Sequence, residues 1–458
     1  MAERTNEIDV GALIENRKLG GFHWLVFALS CLILYVDGMD YTAANVGAPA
    51  ILRAFHADRS AMGPVFGWGY FGMLLGSALF GILGDRYGRK FGAILGVLAY
   101  SLPALMMPLA SSLQDVTVFR FLAGLGIGGV VPNTIALLTE IAPKRFRVTA
   151  VMIAFAGYSL GNATISQVAA RFIPEFGWAV VFVVAGSAGV ILSAVLAFLL
   201  PESMQFLAAT RPDTPKLRRL LNRFAPEAEI GADTRIVLKR PANETRFSLK
   251  LLFDGFRRVA TPLIWTAFFA ESLTYMTLSA WLGVILEEVG LPPARAAFAF
   301  SYASASAILA IFILGRCIDR FGPKVTVFSA VLAVTAIVML GTSGLSPSAV
   351  SGIAILALAC ASATHQSLNG LVGGFYPTVI RGNGVGYATG MGRISAIIGP
   401  VFVGYLFAAK LPLQLILAIV AAPDLVVAAC CYGLSLLQKK TAAEVAAMQA
   451  AAPALSTG

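Results

Sequence analysis

Twelve apolar runs, each roughly 20 residues long, leave this chain few ways to fold. They fall at 22–47, 62–83, 91–110, 116–138, 148–170, 177–200, 261–286, 296–317, 325–343, 349–371, 384–408 and 412–437. A helix of that length crosses a hydrocarbon core and satisfies every backbone polar group within itself. A β-barrel needs short alternating strands, which continuous runs do not supply. Only 13% of residues are charged and 58% are hydrophobic, where a soluble chain carries about 25% charged residues. The first twenty residues are polar, and the first run is too long for a signal-peptide core and lacks its cleavage pattern, so it reads as a retained span. The expectation is an all-α, multi-pass membrane protein.

The runs are divided six and six by a polar, basic stretch at 201–260. Between runs two and three stands Gly81-Ile-Leu-Gly-Asp-Arg-Tyr-Gly-Arg-Lys90. It recurs as Gly315-Arg-Cys-Ile-Asp-Arg-Phe-Gly-Pro-Lys324, 234 positions later. The same offset carries Pro143 and Arg147 onto Pro377 and Arg381, and Asp37 and Tyr41 onto Glu271 and Tyr275. One ungapped offset shared by three separate features implies two parallel repeats. The expected organisation is a segment at 1–21, a six-helix bundle at 22–200, a central loop at 201–260, a second bundle at 261–437 and a tail at 438–458.

The net charge of +10 is not a nucleic-acid signal, because its Lys and Arg lie in alternate loops. With the N-terminus inside, cytoplasmic segments hold 27 and outer segments five. Without the central loop the ratio is still fifteen to five. Both termini and the central loop are therefore expected in the cytoplasm. Cys31, Cys317, Cys360, Cys430 and Cys431 lie in or beside the runs without metal or redox spacing and read as packing residues.

Charges inside the runs are expensive and carry the chemistry. Asp37 lies near the middle of the first run and Asp40 one turn on, nearly on the same face. Two close carboxylates in a low dielectric are not both ionised, so one of them can take up and release a proton. Permanent neutralisation by an arginine is the alternative. Arg393, mid-way into run eleven, has a flat fork that matches a carboxylate. It is read either as the ligand of a substrate carboxylate or as a fixed partner of Asp37 or Glu271. Glu271 could instead lie closer to the interface. His365, with Gln366 and Asn369 beside it, suits a proton shuttle, a contact to a ring hydroxyl or a helix–helix hydrogen bond. Asp424 in run twelve has no partner that the sequence names. Tyr41 and Tyr275 stand out among the aromatic residues, which include Phe66, Trp68, Tyr70, Trp265, Phe269 and Trp281, because each is four residues from an acid. The loop charges Asp85, Arg86, Arg89, Glu140, Arg147, Asp319 and Arg320 read as a gate or as a topology signal alone. In the gate, Asp85 and Arg89 pair with Glu140, Arg147 or a helix end. Glycines crowd runs two, four and eleven, allowing close helix approach. No phosphate-binding loop and no nucleophile–base spacing is present, which argues against ATP drive and against an enzyme.

The loop Gly81–Lys90, the run Arg120-x-x-x-Gly124-x-Gly126 and the element Pro201-Glu202-Ser203 together resemble the major facilitator superfamily over the whole chain. The resemblance implies that superfamily's fold of twelve helices in two pseudo-symmetric six-helix bundles, and a coupling role for Arg120. From sequence alone Arg120 could equally snorkel to the outer interface. Asp37-Gly38-Met39-Asp40, and the stretch from Tyr376-Pro-Thr-Val-Ile-Arg381 to Gly390-Met-Gly-Arg393-Ile-Ser-Ala-Ile-Ile-Gly-Pro400, are similar to the aromatic acid:proton symporters. Run five reads Gly157-Tyr-Ser-Leu-Gly161-Asn without the proline typical of the superfamily's antiporters, which argues against drug export. The resemblance implies a monomeric importer in a bacterial inner membrane, with two halves rocking about a central site. It takes a benzoate-like acid with protons and has no cofactor beyond the coupling proton. Asp37, Asp40, Glu271 and Arg120 then couple the proton. Arg393, Asp40, Tyr41, Tyr275, His365, Gln366 and Asn369 bind substrate. A non-aromatic acid such as a muconate-like dicarboxylate or a sugar acid is the alternative cargo, and a receptor for such acids is the alternative from another class.

Overall fold

The computed structural model describes residues 7–451 except 229, 232–233, 239–248, 323 and 377. Side chains at 311–312, 315, 319, 321, 369–370, 373–374, 378–379, 381–382 and 439–451 are outside the description. The chain forms two compact units, Met1–Asn243 and Glu244–Gly458.

The first unit opens with strand β1 (Glu7–Asp9) and helix α1 (Val10–Asn16). Six long helices follow: α2 (Gly21–Ala54), α3 (Met62–Tyr87), α4 (Arg89–Met106), α5 (Leu113–Ile141), α6 (Arg147–Phe176) and α7 (Val180–Leu199). Two short helices, α8 (Met204–Thr210) and α9 (Pro215–Phe224), and strand β2 (Arg235–Val237) complete it. The second unit holds α10 (Arg257–Glu288), α11 (Pro293–Phe321), α12 (Lys324–Met339), α13 (Pro347–Phe375), α14 (Thr378–Ala408) and α15 (Leu413–Ala451).

Among the described residues, ten helices are long and apolar enough to cross a membrane: α2 to α7, α10, α13, α14 and α15. The expected runs 296–317 and 325–343 fall on α11 and on α12, which is 16 residues long. In the first unit the closest pairings are α3 with α5, α2 with α6, α4 with α5 and α4 with α7. In the second they are α10 with α14, α11 with α13, α12 with α15, α10 with α15 and α12 with α13. The four pairings of the first unit thus recur at the equivalent places of the second, which adds a close α10–α15 contact.

Glycine sets the tightest seams. A Cβ on Gly72 would stand 2.3 Å from the Phe121 carbonyl oxygen, and one on Gly128 2.0 Å from that of Met73, so α3 and α5 touch backbone to backbone. Gly38 and Gly161 do the same between α2 and α6, at 2.3 Å from Tyr158 O and 1.9 Å from Tyr35 O. The glycine between Asp37 and Asp40 is therefore a helix-contact residue that fixes where both acids sit.

The stretches read as polar flanks hold ordered structure. β1 and β2 pair in parallel, Glu7 opposite Arg235 and Asp9 opposite Val237. Helix α9 places Leu217, Leu221 and Phe224 on one face, and these pack with Val10, Ile14 and Ile236 in the first unit's core. Arg17 pairs with Glu227 and lies over the Phe224 ring, 5.1 Å from its centroid.

Candidate functional site

Asp37 sits midway along the 34 residues of α2, fully buried, with neither carboxylate oxygen hydrogen-bonded. Asp40, also fully buried, is held from α5. Nη1 of Arg120 donates to its Oδ2 and to its backbone carbonyl, each at 3.3 Å. Arg120 is itself only 7% exposed. It turns inward to an acid and does not snorkel, because an unpaired buried carboxylate on α2 is the stronger attraction. Oδ1 of Asp40 stays without a partner. The pair of acids is thus asymmetric: among the described residues one carboxylate has a cation and the other has none.

Tyr41 continues this buried face. Its hydroxyl hydrogen-bonds that of Tyr70 on α3 at 2.8 Å, and its ring lies 6.0 Å from that of Tyr158 on α6. Tyr158 is a member that sequence reading overlooked. Its signal was its place between Gly157 and Gly161, the two glycines that bring α6 against α2.

In the second unit, Glu271 on α10 is buried, 1% exposed. Its Oε2 pairs with Nδ1 of His365 on α13. The His365 ring stacks on Tyr275 with centroids 5.0 Å apart. The fixed partner of Glu271 is therefore His365. Arg393 on α14 is partly buried and makes no ion pair among the described residues. Its neighbour Gly392 packs on α10, where an added Cβ would stand 2.6 Å from Ser272 Oγ. Gln366 is partly buried beside His365, and the Asn369 side chain lies outside the described residues.

The remaining aromatic residues sort by environment. Trp281 is fully buried, donates its indole N–H to Pro400 O at 3.1 Å and stacks on Phe407, so it is a packing anchor. Trp68 is half exposed on α3. Trp265 stacks on Tyr387.

At the start of α4, Arg89 pairs with Asp85 in the last turn of α3 and, at 3.1 Å, with Glu140 at the end of α5. Arg147 does not join them. It begins α6, where its Nε donates to Ala142 O at 3.1 Å and its Nη2 lies 3.8 Å from Glu15 of α1. The guanidinium of Arg86 covers the Tyr87 ring. Arg320 is exposed, and the Asp319 side chain lies outside the described residues. Gly88 joins α3 to α4 at φ +114°, a left-handed value that disfavours any side chain. Against it lies Glu202, 6% exposed, whose Oε1 accepts from the backbone N–H of Lys90 and of Ser203, both at 3.0 Å. An acid at the first turn of α4 meets the positive end of the helix dipole. Sequence reading took Pro201-Glu202-Ser203 only as a point of resemblance and missed this cap.

Comparison with known proteins places these features in context. The model of the Major Facilitator Superfamily matches residues 30–400 and 264–456. The chain is 32% identical to the 4-hydroxybenzoate transporter PcaK of Acinetobacter baylyi over 401 residues, covering 87% of this chain and 88% of that protein. It is 30% identical to the gallate transporter of Pseudomonas putida over 418 residues, covering 91% and 92%. Its fold is similar to that of the xylose transporter XylE from E. coli, with a TM-score of 0.68 at 13% identity, over 90% of this chain and 98% of that one.

Proposed function

Because this chain belongs to the Major Facilitator Superfamily, we propose that it is a proton-coupled importer of an aromatic carboxylate of the 4-hydroxybenzoate or gallate kind. The observation that carries the proton half is Asp37, buried at mid-helix with both oxygens unpartnered. Such a group is carried at least cost with its proton on, and gives that proton up only where water or a cation reaches it. The two named relatives support the cargo half.

The thermodynamics favours coupling. An anion entering alone works against an inside-negative potential by about 2.3 kcal/mol per charge per 100 mV. One proton per carboxylate removes that penalty. In this reading the fold is twelve helices in two six-helix bundles, at 22–200 and 261–437. The chain works as a monomer in a bacterial inner membrane by alternating access, with both termini cytoplasmic.

The roles are assigned within each unit. In the first, Asp37 binds the proton and the Arg120–Asp40 pair holds the second acid ionised beside it. Tyr41, Tyr70 and Tyr158 offer rings and hydroxyls suited to a phenol. In the second, Arg393 takes the substrate carboxylate through its fork. Glu271, Tyr275, His365 and Gln366 line the polar interior. The ion pairs around Arg89 close the loop end of the first unit.

The test is uptake of labelled acids into proteoliposomes at two external pH values, with and without an uncoupler. Uptake of 4-hydroxybenzoate that rises in acid and collapses with the uncoupler supports the reading. Preference for an open-chain dicarboxylate, or saturable binding without uptake, contradicts it.

A further inference from the structure

Asp424 takes no part in the roles assigned above. It lies within the apolar portion of α15, Leu413–Gln438, fully buried, and neither of its carboxylate oxygens has a hydrogen-bond partner within normal distance among the described residues. An acid so placed needs either a partner or a proton.

Two contacts establish what faces it. Thr274 Oγ1 on α10 donates to Val420 O on α15 at 3.0 Å. A Cβ on Gly433 of α15 would meet Leu263 Cδ1 of α10 at 3.4 Å. Position rises along one helix as it falls along the other, so the two run antiparallel. Glu271, one turn before Thr274, then comes level with Asp424, one turn beyond Val420. The two acids are near enough for their charges to act on each other. Glu271 commits Oε2 to His365 and leaves Oε1 unpartnered. Apart from the Thr274 hydroxyl beside Asp424, which is committed to Val420 O, these three buried carboxylate oxygens meet no donor among the described residues.

The other helices packed on α15 bring little that could neutralise Asp424. Helix α12 carries one charged residue, Lys324, at its first position. Helix α14 carries Arg393, and Arg381, whose side chain lies outside the described residues. On α15 itself the neighbours are the free thiols of Cys430 and Cys431. No cation is paired with Asp424 among the described residues.

We propose that Asp424 and Glu271 hold one proton between them, with His365 as its exchange partner, forming a second proton-binding centre distinct from Asp37 and Asp40. This rests on the reading that the chain couples transport to protons. Protonated Asp424, ionised Glu271 and protonated His365 sum to zero charge. Loss of one proton to water leaves the cluster at minus one. Arg393 is the cation that α14 brings beside α10, at Gly392 on Ser272. When a substrate carboxylate occupies Arg393, its negative charge opposes a net negative charge on the cluster, which then keeps its proton. Substrate and proton are thereby bound together.

The test has two arms. Infrared difference spectra of the full-length protein across a pH jump report buried protonated carboxyl groups directly, with no substrate present. The expected result is a carboxyl band that Asp424→Asn removes, Glu271→Gln shifts and Asp37→Asn leaves in place. Spectra of Asp424→Asn that superimpose on the unsubstituted protein overturn the proposal. The second arm uses labelled 4-hydroxybenzoate in proteoliposomes. Asp424→Asn should keep counterflow exchange within about twofold while pH-driven accumulation falls by about tenfold or more. Accumulation equal to that of the unsubstituted protein overturns the proposal. Asp424→Glu, which keeps the titrating group, should restore part of the accumulation, and no restoration counts against it. A protein that does not move 4-hydroxybenzoate at all defeats the functional reading alone, and the infrared arm still decides the cluster.

Discussion

Arg120 grips Asp40 twice, through carboxylate and carbonyl oxygens each 3.3 Å from one guanidinium nitrogen, while the Asp37 carboxylate one turn away has no hydrogen-bond partner among the described residues. Of two acids in the same short motif, one is therefore paired and the other is not. That difference separates a charge that stays from one that comes and goes.

Removing the arginine should expose the cost of the pair. Arg120→Leu leaves Asp40 buried and unpaired, a change that destabilises by about 3–5 kcal/mol. A thermal unfolding assay in detergent should show a clear fall in the midpoint. The double variant Arg120→Leu with Asp40→Asn should recover most of it. No recovery would mean that the two residues do not act as a pair.

Asp37→Asn keeps the volume and removes the titration. Counterflow of labelled substrate should persist, since exchange moves no net proton, while accumulation driven by a pH gradient should fall by about two orders of magnitude. Equal loss of both activities would instead assign Asp37 to substrate binding.

Arg393→Lys retains the charge and loses the planar fork. The half-saturation concentration for 4-hydroxybenzoate should rise by about tenfold, with a smaller change in maximal rate. An unchanged half-saturation concentration would remove Arg393 from the carboxylate site.

Glu202→Ala strips the acceptor from the backbone N–H groups of Lys90 and Ser203. Leaving buried donors unsatisfied destabilises by about 1–3 kcal/mol each. Gly88→Ala attacks the same joint from the other side, because its φ of +114° and the Glu202 carboxylate leave no room for a Cβ. Both variants should lower the unfolding midpoint and raise protease sensitivity between α3 and α4. A midpoint unaltered in both would show that the joint is not held by this cap.

Much of this was legible because it is periodic or repeated. The apolar runs foretold helices where α2 to α7 lie, and the 234-residue offset foretold a pairing scheme that occurs twice. The acids of the first run stood out because charge in an apolar stretch is costly. Partners were harder to read, since they depend on how distant helices meet. Arg120 and Asp40 are 80 positions apart, and His365 and Glu271 are 94 apart. Nothing local in either stretch distinguishes an inward-turned arginine from one that reaches the interface. The pairing of Glu7–Asp9 with Arg235–Val237 was illegible for the same reason, and because three-residue strands carry too little alternation to register. The α9 face of Leu217, Leu221 and Phe224 did carry a signal, at helical spacing within a basic stretch whose overall polarity masked it.

Proton movement linked to substrate tests the central claim most directly. Proteoliposomes holding the purified protein in weakly buffered medium are given 4-hydroxybenzoate, and the external pH is followed with an electrode. The account predicts an alkaline shift that begins with the substrate, scales with its uptake, disappears with an uncoupler and is absent in Asp37→Asn. Uptake of 4-hydroxybenzoate with no change in external pH would contradict it.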